Sequence, residues 1–471
     1  MRKFNVLLLA GLAAALSAAP AIAQQSTGKL AQNETGKANG ETTATVADDK
    51  KADAKAARMS TQPAPSIQYI RPADQRGINV FETSKEAGAP YAGFKLDWTA
   101  AFSQQFQGLE HSNAASPRMI NDATGKPFNA NELGDIGWGF NLAAANLGIN
   151  AQLAPGVRLS LESYMSSRHH NEFWVKGGYV QVDESPIDLP VLHTLMQYLT
   201  IKAGMFELNY GDAHFRRTDN GNSFYNPFVE NNILDAFNTE IGTEIYAQTG
   251  PFLAMVGITD GVNKGGVTNP DARGPAYLAK LAFDQQLTPL VRTRLSGSMY
   301  TVSKTPSNNL YFGDRSGSRY FNVLDNSTGS NHFNARINPG FTNELRAIQI
   351  NPFIKVAGLE LFGVIEQAEG KHNAETERRQ WNQLAGEMVY RFLPAEQMYV
   401  AGRYNTVSGE LRNIANEVSV DRTGLAVGWF MTPSILLKGE YVNQKYNDFP
   451  TLDIRHGGKF NGFMVEGAIA F

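Results

Sequence analysis

From about Tyr91 onward, apolar and polar residues alternate along the chain with a period of two. In the first clear stretch Phe94, Leu96, Trp98, Ala100 and Phe102 share one face while Lys95, Asp97 and Thr99 share the other. That spacing predicts a strand with one apolar and one wet side. The division recurs in Leu159 and Leu161 against Arg158, Ser160 and Glu162, and in Leu199, Ile201, Ala203 and Met205 against Thr200 and Lys202. Counting every copy predicts sixteen strands, near 92–106, 137–150, 156–168, 173–183, 196–206, 241–249, 252–260, 276–284, 290–302, 346–356, 358–367, 383–392, 397–407, 422–432, 434–446 and 460–471.

The connections alternate in length. Loops 107–136, 207–240, 303–345, 368–382 and 408–421 are followed by tight turns at 154–156, 249–251, 357–358, 393–396 and 432–434. Residues 166–172 are short for a long-side loop and 184–195 are long for a turn. An even strand number with long loops at one end and tight turns at the other predicts an all-β, transmembrane antiparallel β-barrel over 91–471. A soluble sandwich or propeller also alternates but has no reason to order its loops this way. Trp98, Trp138, Trp174, Tyr277, Tyr390, Phe392, Trp429 and Tyr441 fall near strand ends, where interfacial aromatic girdles are expected. The last strand places Phe463, Val465, Gly467, Ile469 and Phe471 on one face. Its terminal aromatic resembles the recognition signal of the outer-membrane barrel-assembly machinery, which makes that machinery an expected partner.

The beginning of the chain supplies an address. Residues 1–23 combine Arg2 and Lys3, an apolar run from Val6 to Leu16 and the triplet Ala21, Ile22, Ala23, the three parts of a cleaved signal peptide. No later apolar run approaches the roughly 18 residues of a spanning helix. Between Gln24 and Pro65 large apolar residues are almost absent, so 24–90 is expected to be a flexible periplasmic segment, with Pro63, Pro65 and Pro72 marking the approach to the ordered part. The destination is the bacterial outer membrane, in contact with its lipids.

Composition narrows the chemistry. Lys and Arg number 42 against 45 Asp and Glu, for a net charge of −3, and losing Arg2 and Lys3 with the leader takes it to −5. No basic excess suggests nucleic acid. The absence of Cys excludes a disulfide framework, a Cys-ligated metal and a Cys nucleophile. No catalytic or metal-binding motif is present. His111, His169, His170, His193, His214, His332, His372 and His456 fall nearly all in predicted loops. Neither a catalytic residue, a cofactor nor a metal is expected.

A sixteen-stranded barrel is too wide for its own side chains to fill and should enclose water. The polar faces place Lys95, Arg158, Lys176, Lys202, Lys280, Arg292, Arg294, Lys355, Arg391, Arg403 and Lys438 as pore-lining cations. They also place Asp97, Glu162, Glu244, Glu360, Glu366, Glu387 and Glu440 there, a balance leaning toward anions or neutralised by pairing across strands. The connection 207–240 carries Phe215, Phe224, Tyr225, Phe228, Ile233, Leu234 and Phe237, too apolar for a solvated loop. It is expected to fold inward as a constriction, with Arg216, Arg217, Asp212, Asp219 and Glu230 at its eyelet, or else to form an ordered external lid.

The layout resembles the sixteen-stranded porins. The stretch 199–206 (LTIKAGMF) and the hairpin 248–261 (QTGPFLAMVGITDG) are similar to the phosphate-selective porin family. The resemblance implies an inward third loop and anion passage, with Lys202, Arg216 and Arg217 at matching positions; Glu207, Leu208 and Asn209 stand where a Pro-Phe-Gly-like turn belongs. A homotrimer is implied by the same resemblance. The function expected is passive diffusion of small hydrophilic solutes with a weak preference for anions such as phosphate. The alternatives are a surface adhesin, for which the Asn-, Ser- and Gly-rich 303–345 loop suits sugar contact, and an outer-membrane hydrolase using loop Asp and His groups.

Overall fold

A computed structural model describes residues 66–86, 88–329 and 331–471. The expected signal peptide and residues 24–65 lie outside the described residues. Sixteen antiparallel strands close into one barrel: β1 Lys95–Ser112, β2 Gly139–Ala154, β3 Val157–Ser166, β4 Trp174–Val182, β5 Leu199–Glu207, β6 Thr239–Thr249, β7 Phe252–Thr259, β8 Ala276–Thr288, β9 Val291–Val302, β10 Glu344–Val356, β11 Leu359–Lys371, β12 Arg379–Phe392, β13 Met398–Gly409, β14 Val418–Thr432, β15 Ile435–Asn447 and β16 Lys459–Ala470. Every expected strand is present. Each pairs with its sequence neighbours, and β1 closes the ring on β16 with Ala101 opposite Ala470. Ala100 and Phe471 exchange two backbone hydrogen bonds, at 2.8 and 3.0 Å, so the last residue completes the seam.

The alternation sorts the two faces as expected. Leu281, Phe252, Val256, Leu425, Phe463, Tyr277, Tyr390 and Trp98 are exposed on the outside, whereas their neighbours Lys280, Arg403, Asn405, Glu440 and Glu466 are buried. A continuous exposed apolar belt around a closed ring is stable in hydrocarbon, not in water. Several strands run further at the long-loop end than the alternation shows, β1 to Ser112 and β11 to Lys371. Outward positions there are polar, as at Glu110, Gln367, Glu369 and Lys371, so the apolar face that marks a strand has ended before the ladder does.

The overlong 184–195 connection has a local cause, and one of the tight turns shows what holds it. The 183–198 turn contains a short helix, Pro190–Met196, with proline in its first turn. The β2–β3 turn is made by Gly156 at φ +62°, where an added Cβ would meet Glu184 at 2.4 Å.

Residues 66–86 depart from the flexibility expected of 24–90. Ile67, Asp74 and Phe81 are almost fully buried, and the segment is bonded to short turns around the ring. Gln68 Oε1 accepts from Gly156 N, the Tyr69 hydroxyl donates to Glu184, Gln75 N donates to the Pro433 carbonyl, and Gln75 Nε2 donates to that of Ala395. Lys85 Nζ reaches the Asp183 and Leu199 carbonyls at 2.6 and 2.7 Å. The segment is a strap across the short-turn end of the barrel.

Candidate functional site

The 207–240 connection is held by polar-face side chains of strands on several sides of the ring. Val229 N donates to Glu440 Oε2, Ile233 N to Asn405 Oδ1, and Leu234 N to Gln383 Oε1. Lys438 Nζ donates to the carbonyls of Ser223, Asn226 and Phe228, and Arg403 to that of Glu230. At Gly221 the loop presses against β2: a Cβ there would meet Ala145 Cα at 2.4 Å. Phe224, Phe228, Ile233, Leu234 and Phe237 are buried against the wall, which is where their apolar surface goes.

The 303–343 connection covers this loop. Phe237 N donates to the Leu310 carbonyl, Ile337 N to that of Ile233, and Asn220 N to Asp314 Oδ2. The hydroxyls of Tyr311 and Tyr320 donate to Glu366 and Glu440. Its aromatic residues are therefore largely committed to the interior, with Phe312 an exposed exception. Nothing in the sequence distinguishes this loop from a solvated one, because its apolar residues are scattered among Asn, Ser and Gly.

Between this packing and strands β2 to β6 a cavity of about 330 Å³ remains. The wall contributes Asn150, Arg158, Ser160, Glu162, Lys176, Tyr179, Gln181, Lys202 and Glu207; the loop contributes His214, Phe215, Arg217, Asp219 and Tyr225; the strap contributes Ile70, Arg71, Phe81 and Glu82. Lys176 Nζ is ringed by Asp219, Glu162 and Glu207 at 2.5, 3.0 and 3.2 Å. Lys202 is less well neutralised, 3.6 Å from Glu244 and 4.8 Å from the centre of the Tyr179 ring. Arg158 is bonded to Ser160 and Gln181 instead of a carboxylate, and its Nε has no hydrogen-bond partner. His214 Nδ1 lies 2.8 Å from Glu207 and Nε2 3.0 Å from Asn209 Oδ1, contacts that favour the charged ring, while burial works against it.

The expected eyelet residues are brought together by ion pairs more than by open water. Arg217 forms a two-pronged contact with Asp235 at 2.7 and 3.0 Å and lies over the Phe237 ring. Arg216 is bonded to Asn79 and lies 3.5 and 3.4 Å from Glu360 and Glu387. Asp212 binds Arg294 and Lys280, and Glu230 accepts from the Ser318 hydroxyl and the Arg319 N–H. Asp219 accepts from Tyr164 and Lys176, with burial opposing and Lys176 favouring its charged form. Of these five, Arg217 and Asp219 border the cavity.

The expected lining cations divide likewise. Lys176, Lys202, Lys280, Arg292, Arg294, Lys355, Arg391, Arg403 and Lys438 each pair with a carboxylate, while Lys95 and Arg158 bond to neutral oxygens. Arg158, Lys176 and Lys202 border the cavity. Asp212, Asp219, Glu82, Asp284 and Glu466 add carboxylates that the strand-face count omits, so the interior carries no simple basic excess. Arg71 and Glu82 are cavity residues that the strand pattern misses. The run of Ile67, Tyr69, Ile70, Ile78, Val80 and Phe81, well before the first strand, was the available signal.

No protein-family model and no curated protein sequence matches the chain. Among solved structures it is similar to an anion-selective porin from Comamonas acidovorans, at 11% identity and a TM-score of 0.47, over 80% of this chain and 100% of that one. It is also similar to the outer membrane channel DcaP of Acinetobacter baumannii, at 11% identity and a TM-score of 0.48, over 81% and 99% of the two chains. A third similar structure is the trimer form of OmpT, an outer membrane protein of Vibrio cholerae, at 10% identity and a TM-score of 0.46, over 81% and 100%.

Proposed function

We propose that the protein is an outer-membrane porin, with the 207–240 loop folded into its bore as a constriction and solutes passing along strands β2 to β6. The carrying observation is the cavity of about 330 Å³, whose lining mixes charged groups with apolar side chains such as Ile70, Phe81 and Phe206, within a ring whose outer face is apolar. On the other side of the bore the loop is bonded to Gln383, Arg403, Asn405, Lys438 and Glu440 of the wall, so the passage is narrow and suits small hydrophilic solutes. Arg71, Arg158, Lys176, Lys202 and Arg217 face Glu82, Glu162, Glu207 and Asp219 around it. With Arg158 hydrogen-bonded to no carboxylate and Lys202 only loosely paired, the passage favours anions weakly, phosphate among them.

The same reading has residues 1–23 cleaved on export and the barrel assembled through its strand ending at Phe471. It places the exposed belt in outer-membrane lipid and three copies in a homotrimer, with no nucleic acid, cofactor, metal or catalytic group involved. The burial of most aromatic residues of the 303–343 loop favours a channel over an adhesin that displays them. A salt-gradient bilayer measurement tests the selectivity: a modest reversal potential toward anions supports it, and clear cation selectivity contradicts it.

A further inference from the structure

We propose that residues 66–86 form an autoinhibitory plug, a removable strap that narrows the passage from the short-turn side. The inference rests on the channel reading above. Ile70, Arg71, Phe81 and Glu82 of the strap form one wall of the cavity, so its removal widens the passage directly. Its bonds span the ring, from the β2–β3 turn at Gly156 to the β14–β15 turn at Pro433.

Two features make the strap separable from the barrel. It takes part in no ladder: its one regular element is a single turn, Gln75–Gly77, and each barrel strand pairs with its neighbours without it. It leaves wall charges paired when it goes. Lys280 and Arg294 bind Glu82 of the strap, and both also bind Asp212 of the loop. Arg292 donates to the Asn79 carbonyl and keeps Asp284; Arg216 bonds to Asn79 and keeps Glu360 and Glu387. Stranding a buried charge is the large penalty in such a site, and withdrawal does not incur it. The apolar losses are few: Ile67, Tyr69 and Phe81, the last packed edge-on against Phe215 and Phe353.

Deleting 66–86 from the full chain, in protein that still shifts on a gel when heated, is expected to raise single-channel conductance by about twofold or more. Because the chain has no Cys, a Gln75→Cys and Pro433→Cys pair can lock the strap, whose backbone N and O at these positions lie 3.0 Å apart. Oxidised, this protein should keep the parental conductance, and reduction should add brief larger openings. Unchanged conductance on deletion, or larger openings that persist in the oxidised protein, would overturn the plug while leaving the channel intact. Silence from both parent and deletion would instead contradict the channel reading and the plug with it.

Discussion

The guanidinium of Arg71 lies 3.7 Å from the centre of the Tyr225 ring, joining the strap to the long third loop. The contact is closed from both sides: the Tyr225 hydroxyl donates to the Pro72 carbonyl at 2.6 Å and Arg71 donates to the Phe215 carbonyl at 3.0 Å. Strap and loop thus position each other at the edge of the cavity.

Arg71→Ala removes this stacking together with hydrogen bonds to Gly77 and Phe215. A loss of about 1–3 kcal/mol in strap docking is expected. Limited trypsin digestion reads it: cleavage at Arg76 or Lys85 should accelerate in the variant while the barrel stays intact.

Glu360 binds Arg391 at 2.8 Å and also faces Arg216 and Lys355, at 3.5 and 3.6 Å. Glu360→Gln leaves this cation cluster undercompensated in a buried site, a penalty of about 3–5 kcal/mol. The temperature at which the folded band disappears on a gel should drop clearly. Glu369→Gln, whose carboxylate meets a half-exposed Arg378, should leave it unchanged within error.

Selectivity should respond to the loosely paired lysine at the passage and not to those sealed in the wall. Lys202→Glu is expected to move the reversal potential toward cations. Lys438→Met, at a fully buried position paired to Glu466 at 2.5 Å, should affect stability with little change in selectivity. Equal shifts in both would mean that the current does not follow strands β2 to β6.

The outer loops carry a pH dependence. Burial pushes the Asp325 carboxyl up to about 7 from its ordinary 3.8, so between these values the folded loop holds a proton that the unfolded one releases. Its contribution to loop stability is therefore present at low pH and declines as pH rises through that window. Proteolysis of the 303–343 loop should be faster at pH 8 than at pH 5.5, and Asp325→Asn should flatten the difference.

The barrel was legible in the sequence because an exposed apolar face on one side and polar packing on the other impose a period of two, as Leu281 and Lys280 show on β8. The burial of the 207–240 loop's apolar side chains was legible in Phe224, Phe228, Ile233 and Leu234, too apolar to leave in water. Which side chains border the cavity was not. Whether Lys280 or Lys202 meets water depends on Asp212 and Glu82, which arrive from a loop and a strap remote in sequence. Strand-face counting lacked those carboxylates, and a low apolar density upstream concealed that Ile67 and Phe81 belong to the interior.

The central claim is that solutes pass between the loop and strands β2 to β6, and single cysteines in this Cys-free chain test it directly. Ser160→Cys borders the cavity, whereas Ser298→Cys lies buried on β9 behind the packed loops. In a planar bilayer, a charged thiol reagent should reduce the current of the Ser160→Cys protein and leave that of Ser298→Cys unchanged. Block at Ser298→Cys with no effect at Ser160→Cys would place the passage elsewhere and contradict the account.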